Sequence, residues 1–186
     1  MSHPGAKGNP IEMFARLMQC KDSIRQDRRA NRTPVVRMVL LLYRLGSCAT
    51  ASASSQAWAI RNLSRTARMV LSIPYALMRV GMGFDLPFES RLGQRPRFYH
   101  RLHGVFIHPN AVIGDDVSIY QGVTIGALDV DDVRAPVVEA GVLIGAGAVL
   151  LGPIVVGHGA RVGAGAVVVR DVPEGATVVP AKARLL

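Results

Sequence analysis

Three of the five histidines lie close together, at His100, His103 and His108. Imidazole can transfer a proton near neutral pH and can also bind a metal ion, so this segment is the first candidate for chemistry. His103 and His108 are five residues apart, a spacing that superficially fits a metal site. His158 lies far along the chain and, like His108, is expected at the surface. The residue types alone therefore leave proton transfer and metal binding open.

The elements that must position these histidines show an internal repeat. Ten aliphatic residues recur at intervals of six, apart from one gap of thirteen that marks an excursion near residues 127–137. They are Ile107, Ile113, Ile119, Ile125, Val138, Ile144, Leu150, Val156, Val162 and Val168. A period of six fits neither an amphipathic helix nor an alternating strand. It is typical of a parallel β-helix, in which three six-residue segments close one coil, so residues 101–174 are predicted to form about four coils.

The first part of the chain is predicted to be helical. Helices are expected over residues 11–29, 34–45 and 56–80, with a turn at residues 46–55 and a bend near Pro74. We divide the chain into an α-helical region, residues 1–82, and a β-helix domain, residues 83–186. The apolar runs of the helices are shorter than the roughly 20 residues needed to cross a bilayer. Packing between helices or subunits is the preferred role for these runs, and contact with a membrane surface is the alternative.

Charge is distributed unevenly along the chain. The first 110 residues hold 17 of the 22 Lys and Arg residues but 5 of the 13 Asp and Glu residues. Such a basic region suits nucleic acid, an anionic membrane or a phosphorylated substrate. Aromatic residues are sparse and no nucleic-acid-binding motif is visible, so a nucleic acid partner is not expected. The polar start of the chain and two cysteines without framework spacing predict a cytoplasmic protein, with the inner face of the membrane as a further option.

Several segments together resemble a known enzyme family. These are residues 83–86, 97–107 and 111–126, the last ending in Tyr-Gln-Gly-Val-Thr-Ile-Gly, followed by residues 144–148 and 162–168. They are similar to the serine acetyltransferase group of hexapeptide-repeat acyltransferases. The tail at residues 178–184 resembles the subgroup that acetylates exopolysaccharide sugars, the colanic-acid type. The resemblance implies a mainly β protein with a left-handed parallel β-helix. It also implies acetyl-CoA-dependent transfer to a hydroxyl, at a groove between prisms of a homotrimer or a dimer of trimers.

An alcohol needs a base before it attacks a thioester, and the resemblance implies a histidine in this role. Counting from Gly93 places that base at His100, whereas counting back from Gly104 lands on Arg101. We take His100 as the first candidate and His103 as the second. The structural alternative is that both histidines only cap the first coil.

The predicted acceptor site departs from that of the serine enzymes. Asp85 and Arg134 match the positions that hold the amino acid in the family, but Tyr99 replaces an aspartate before the base. The excursion has Arg134-Ala135-Pro136 where the family has histidine before proline. A buried ammonium and carboxylate need paired partners. The resemblance therefore favours a saccharide hydroxyl in exopolysaccharide or capsule biosynthesis, with serine as the alternative, and Asp85, Tyr99 and Arg134 as substrate-binding residues.

The resemblance also implies where coenzyme A binds. The pantetheine arm is expected to pass Gly126, Ala146 and Ala164, and Lys182 and Arg184 are expected to meet the nucleotide phosphates. Many such small residues serve only the corners of the coils, which is the structural alternative. No metal is expected. A hydratase of the gamma carbonic anhydrase kind would need a second histidine where residues 156–163 have glycine, and a non-catalytic scaffold is the remaining class.

Overall fold

The computed structural model describes residues 10–53, 58–129 and 131–181. Three helices come first, α1 (Pro10–Ala30), α2 (Pro34–Ala53) and α3 (Trp58–Met82). Thirteen short strands follow. They are β1 (Arg91–Leu92), β2 (Arg97–Phe98), β3 (Phe106–Ile107), β4 (Val112–Ile113), β5 (Ser118–Ile119), β6 (Thr124–Gly126), β7 (Val137–Val138), β8 (Leu143–Ile144), β9 (Val149–Leu151), β10 (Val155–Val156), β11 (Arg161–Val162), β12 (Val167–Val168) and β13 (Thr177–Val178).

The strands form three parallel sheets, which are the three faces of a prism. The first sheet has the order β1-β4-β7-β10, the second β2-β5-β8-β11-β13, and the third β3-β6-β9-β12. Strands three apart in chain order pair with each other, as β1 does with β4, β2 with β5 and β3 with β6. The chain therefore passes through the three sheets in turn. All ten aliphatic residues at the predicted six-residue spacing are buried inside the prism. The parallel β-helix predicted from the repeat is confirmed.

The prism extends further in both directions than residues 101–174. β1 and β2 pair with β4 and β5, and β13 pairs with β11, so residues 91–98 and 177–178 belong to it. Leu86, Leu92 and Phe98 are buried and continue the spacing of six towards the N-terminus. The extra residues between Phe98 and Ile107 interrupt the period there. Because of this interruption, a count of six-residue repeats does not detect the first coil.

The three predicted helices are confirmed except at the end of α2, and the bend near Pro74 stays a prediction. The turn expected at residues 46–55 is wrong where the structure describes it, because residues 46–53 continue α2 to Ala53, and residues 54–55 lie outside the described residues. A side chain at Gly46 would meet the Phe88 ring at 2.5 Å, and Ser47 Oγ donates a hydrogen bond to the Phe88 carbonyl. The small residues therefore allow close packing against the prism instead of breaking the helix.

Buried polar contacts join the helices to the first coil. Arg44 on α2 forms an ion pair with Asp27 on α1 at 2.8 Å and donates to the Leu92 carbonyl at 2.7 Å. Asn31 donates to the Pro96 carbonyl and accepts from the Phe98 amide. Arg44 thus covers the edge of β1 and Asn31 the edge of β2, and neither strand has another strand beyond it among the described residues. One hydrophobic core runs from α2 into the prism.

Candidate functional site

The predicted base residues lie at the corner between the second and third sheets. In the first coil this corner spans residues 99–105, and in the next coil it spans residues 120–123. The Tyr99 and Tyr120 rings stack with centroids 4.3 Å apart, so these residues occupy equivalent positions. Gly122 donates its amide to the His103 carbonyl, which aligns His103 with Gln121. The first corner is therefore longer by three inserted residues, which are 100–102.

The insertion forms a tight turn, His100–Leu102, in which all three residues have positive φ, at 50°, 62° and 60°. Residues with a side chain rarely adopt this conformation, and it costs roughly 1–2 kcal/mol for each of them. Leu102 is fully buried, which anchors the turn in the core. Strain that is held in place by packing is frequent at functional sites.

His103 has a defined tautomer. Its Nδ1 lies 3.0 Å from the carbonyl oxygen of Met82, at the end of α3. Because a carbonyl can only accept, Nδ1 carries the proton and the neutral ring has its lone pair on Nε2. The side chain is exposed, so Nε2 can reach a substrate. This is the arrangement that a general base requires.

The other histidines of the segment differ from His103. His108 Nδ1 accepts a hydrogen bond from the Asn110 amide at 3.1 Å, so its neutral ring carries the proton on Nε2. His100 is exposed, and its ring lies 6.5 Å from that of Tyr120. Within the described part of the chain, His100 has no partner that fixes its ring nitrogens. The fold brings His100 and His103 to the same corner but orients His103 alone.

His103 heads a column of equivalent corner residues in successive coils. Each precedes a glycine with positive φ, and the glycine amide of one coil donates to the carbonyl of the residue above. The column is His103, Gln121, Ala146 and Ala164. Two predicted coenzyme A residues, Ala146 and Ala164, thus line the edge that leads to His103. Gly126 is the last residue of β6, so it lies at the other end of that strand from this corner. Lys182 and Arg184 lie outside the described residues.

Sequence reasoning missed Gln121, although its register was visible. It lies 18 residues after His103, three hexads, and precedes a glycine as Ala146 and Ala164 do. Its Oε1 is buried and receives no hydrogen bond from the described residues. A buried oxygen without a donor is costly, so a ligand N–H at this place would be stabilised.

Two of the three predicted acceptor residues are paired with other side chains of the chain. Asp85 lies beside the start of the third sheet and forms an ion pair with Arg79 at 2.5 Å. Arg134 lies on the excursion and contacts Asp132 at 2.9 Å, which holds the pKa of that carboxyl below its usual range. Tyr99 is on the second sheet's side of the His103 corner, 38 % exposed.

Comparison with known proteins identifies the repeat. Residues 135–170 match the family model described as bacterial transferase hexapeptide (six repeats). Over these residues the chain therefore carries the repeat of this family. The serine acetyltransferase of Mycobacterium tuberculosis is 43% identical to this chain over 116 residues, which are 62% of this chain and 50% of the relative. The colanic acid biosynthesis acetyltransferase WcaB of Escherichia coli is 40% identical over 103 residues, 55% of this chain and 63% of WcaB.

A solved serine acetyltransferase structure resembles both the helices and the prism. The serine acetyltransferase of Brucella abortus in complex with coenzyme A superposes with a TM-score of 0.70 and 26% identity, over 94% of this chain and 70% of that chain. The left-handed β-helix preceded by helices, as predicted, is therefore the fold of this chain. The chain spans about half the length of the first curated relatives that it matches.

Two properties of the described residues bear on other classes of protein. None of the described helices is both long and apolar enough to span a bilayer. Within residues 10–53, 58–129 and 131–181, no three His, Cys, Asp or Glu side chains come together as metal ligands.

Proposed function

We propose that this protein is an acetyl-CoA-dependent O-acetyltransferase that acetylates a saccharide hydroxyl in exopolysaccharide or capsule biosynthesis. The observation that carries the proposal is the column headed by His103. A histidine with a free Nε2 lies above an edge lined by Ala146 and Ala164, where the absence of bulky side chains lets an extended thioester arm approach the backbone. The names of the relatives and the coenzyme A complex of the Brucella abortus enzyme support the same donor.

In the proposed reaction, His103 Nε2 removes the proton of the acceptor hydroxyl as its oxygen attacks the thioester carbonyl. The carbon–sulfur bond then breaks, and the departing thiolate takes the proton from His103. The bond from Nδ1 to the Met82 carbonyl keeps the ring in the right orientation through both steps. Gln121 Oε1, which receives no hydrogen bond from the described residues, suits an amide N–H of the pantetheine arm, which would pass beside it on the way to His103.

Asp85 and Arg134 each have a charged partner within the chain, and this supports a saccharide acceptor over free serine. An amino acid acceptor needs one carboxylate for its ammonium group and one cation for its carboxylate. In this chain Asp85 already pairs with Arg79, and Arg134 with Asp132. Serine O-acetylation remains the second candidate, because serine acetyltransferases are prominent among the relatives.

We also propose that the chain assembles as a trimer or a dimer of trimers. Helix α3 exposes a row of large apolar side chains that are 62–85 % exposed. They are Met69, Val70, Ile73, Leu77 and Val80. Burial of such a row between subunits would remove it from water, and contact with a membrane surface is the alternative. Sedimentation of the purified chain, with and without phosphatidylglycerol vesicles, separates the two.

An acceptor screen tests the proposed function. Release of free thiol from acetyl-CoA is followed with serine, free sugars and nucleotide-activated sugars at equal concentrations. We expect faster release with saccharides than with serine. Faster release with serine would favour the second candidate, and release with neither would contradict the transferase proposal.

The donor edge is tested separately. Ala164→Leu places a bulky side chain on the column, whereas Ala140→Leu makes the same change at the equivalent place of another corner, where the Gly159 amide donates to the Ala140 carbonyl. We expect the first variant to raise the KM for acetyl-CoA about tenfold or more, as loss of one or two backbone hydrogen bonds to the ligand would. The Ala140 variant should leave this KM unchanged. Equal effects would remove the column from coenzyme binding.

A further inference from the structure

Helix α1 borders an open basic cleft together with the second sheet and α2. One part, of about 550 Å³, is lined by Gln26, Arg29, Ala30, Arg95, Arg97 and Asp116. The adjoining part, of about 450 Å³, is lined by Lys21, Ile24, Arg25, Arg28, Arg29 and Arg37. Arg29 belongs to both parts. We call the two together the basic cleft.

Cations greatly outnumber acids in the basic cleft. Seven of its lining side chains are Lys or Arg, and Asp116 is its single acidic residue. Asp116 is already engaged by Arg95 through two hydrogen bonds of 2.5 and 2.9 Å, which lower the pKa of the carboxyl. Arg97 is 3.8 Å from the same carboxylate. Within the described part of the chain, Lys21, Arg25, Arg28 and Arg29 have no acidic partner.

The fold holds these cations together. Arg95 donates to Gln26 Oε1 and its amide donates to Asp27 Oδ1, while Arg37 donates to the Asn31 carbonyl at 2.6 Å. These bonds fix the end of α1 against the second sheet, and so keep Arg29 beside Arg97. Like charges held this close repel one another, so an anion in the cleft would relieve the repulsion. Guanidinium groups suit phosphate oxygens best, because their paired N–H donors match the oxygen spacing.

The basic cleft and the corner that carries His103 are joined by one extended segment. Arg97 and Tyr99 point to the outer side of the same extended segment, and two residues of strand span roughly 7 Å. Tyr99 stacks on Tyr120, and His103 follows at the same corner. A phosphate at Arg97 would thus place an attached sugar against the Tyr99 ring, with its hydroxyls towards His103.

We propose that the basic cleft binds the diphosphate of an activated saccharide acceptor and so sets which sugar hydroxyl reaches His103. The placement of the hydroxyl rests on the proposed acetyltransferase function, whereas diphosphate binding does not. The diphosphate could belong to a nucleotide sugar or to a polyprenyl carrier lipid. Both present the same anion to the arginines.

Calorimetry of the full chain with inorganic pyrophosphate and with UDP-N-acetylglucosamine tests the binding directly. Arg29→Ala/Arg97→Ala removes two cations that line the same part of the cleft from α1 and from the second sheet, and both residues are exposed, so the thermal midpoint should be unchanged. We expect the Kd for both probes to rise about tenfold or more, as loss of charge-assisted hydrogen bonds predicts. Arg170→Ala, an exposed arginine on the last coil, is the matched control and should leave both Kd values unchanged. Absence of pyrophosphate binding, or equal weakening in the control, would overturn the proposal.

Kinetics then separate the acceptor from the coenzyme, whose own phosphates are a competing explanation. The double variant should lower kcat/KM for UDP-N-acetylglucosamine about tenfold, but not for free N-acetylglucosamine, and should leave the KM for acetyl-CoA unchanged. A raised KM for acetyl-CoA would assign the cleft to the coenzyme and overturn the proposal. Pyrophosphate binding that the double variant loses, in a chain with no transferase activity, would support the cleft while contradicting the proposed function.

The source of the diphosphate is decided in a third arm. Phosphatidylcholine vesicles with and without undecaprenyl diphosphate are sedimented with the wild-type chain and the double variant. Binding that needs both the diphosphate lipid and the two arginines supports the cleft with a carrier-linked acceptor. Binding of UDP-N-acetylglucosamine without vesicle binding supports it with a nucleotide-linked acceptor.

Discussion

Replacement of His103 separates its role as a base from its role in the structure. His103→Ala removes both the Nε2 lone pair and the Nδ1 bond to the Met82 carbonyl. His103→Asn removes the base, but its amide can still donate to that carbonyl. His100→Ala is the control at the same corner, since the His100 ring has no defined partner among the described residues.

The expected effect follows from the geometry. General base catalysis contributes about a hundredfold to ten-thousandfold in rate, which corresponds to roughly 2.7–5.5 kcal/mol of barrier. The lost hydrogen bond is at an exposed side chain, so its contribution to stability should be no more than about 1 kcal/mol. Turnover should therefore fall by two or more orders of magnitude in both His103 variants while the fold remains intact.

The assay combines thiol release at saturating acetyl-CoA with calorimetry of coenzyme A binding. We expect the Kd for coenzyme A to be nearly unchanged in all three variants, since the donor edge is made of backbone and small residues. His100→Ala should retain nearly full turnover. Full activity in the His103 variants together with loss in His100→Ala would refute the tautomer argument and make His100 the base. Recovery of activity in His103→Asn would show that His103 only holds the corner.

Three further predictions concern stability and thiol chemistry. Arg101→Gly should raise the free energy of unfolding by about 1 kcal/mol, because glycine adopts the positive φ of 62° without strain. The thermal midpoint should rise by roughly 2–4 °C. A fall in the midpoint would show that the turn is not strained. Gly46→Ala should destabilise the chain by about 1–3 kcal/mol in urea unfolding, because the added methyl group meets the Phe88 ring, whereas unchanged stability would mean that the ring moves freely. The hydrogen bond from Cys48 lowers the pKa of Cys20 to about 7. Ultraviolet absorbance of the thiolate should therefore appear near neutral pH in the wild type and only at higher pH in Cys48→Ala. Identical titrations of the two proteins would contradict this coupling.

The residues inside the prism could be predicted because the repeat is a local signal. Each hexad places one aliphatic side chain inward, so the sequence lists the core in order and also reveals the excursion between Ile125 and Val138. The first coil was missed for the opposite reason. Leu86, Leu92 and Phe98 have the right spacing, but the insertion at residues 100–102 interrupts the count, and no local signal shows that an insertion will loop out at a corner.

The candidate site was predicted in its residues but not in its arrangement. The sequence indicated two histidines and two alanines, and it could not orient either imidazole. The choice of His103 depends on the Met82 carbonyl, at the end of a helix whose position is set by packing against the prism. The pairing of Asp85 with Arg79 likewise joins different elements.

The sequence by itself determined the coil, because a six-residue period of aliphatic side chains can bury its apolar surface in a three-sided prism. It also determined the basic character of the first half of the chain. Tertiary structure decided which residues stack into the column under His103, how far α2 continues, and how α1 brings Arg29 to Arg97. These depend on hydrogen bonds and packing between segments that are distant in the chain, and the side chains alone do not encode their distances.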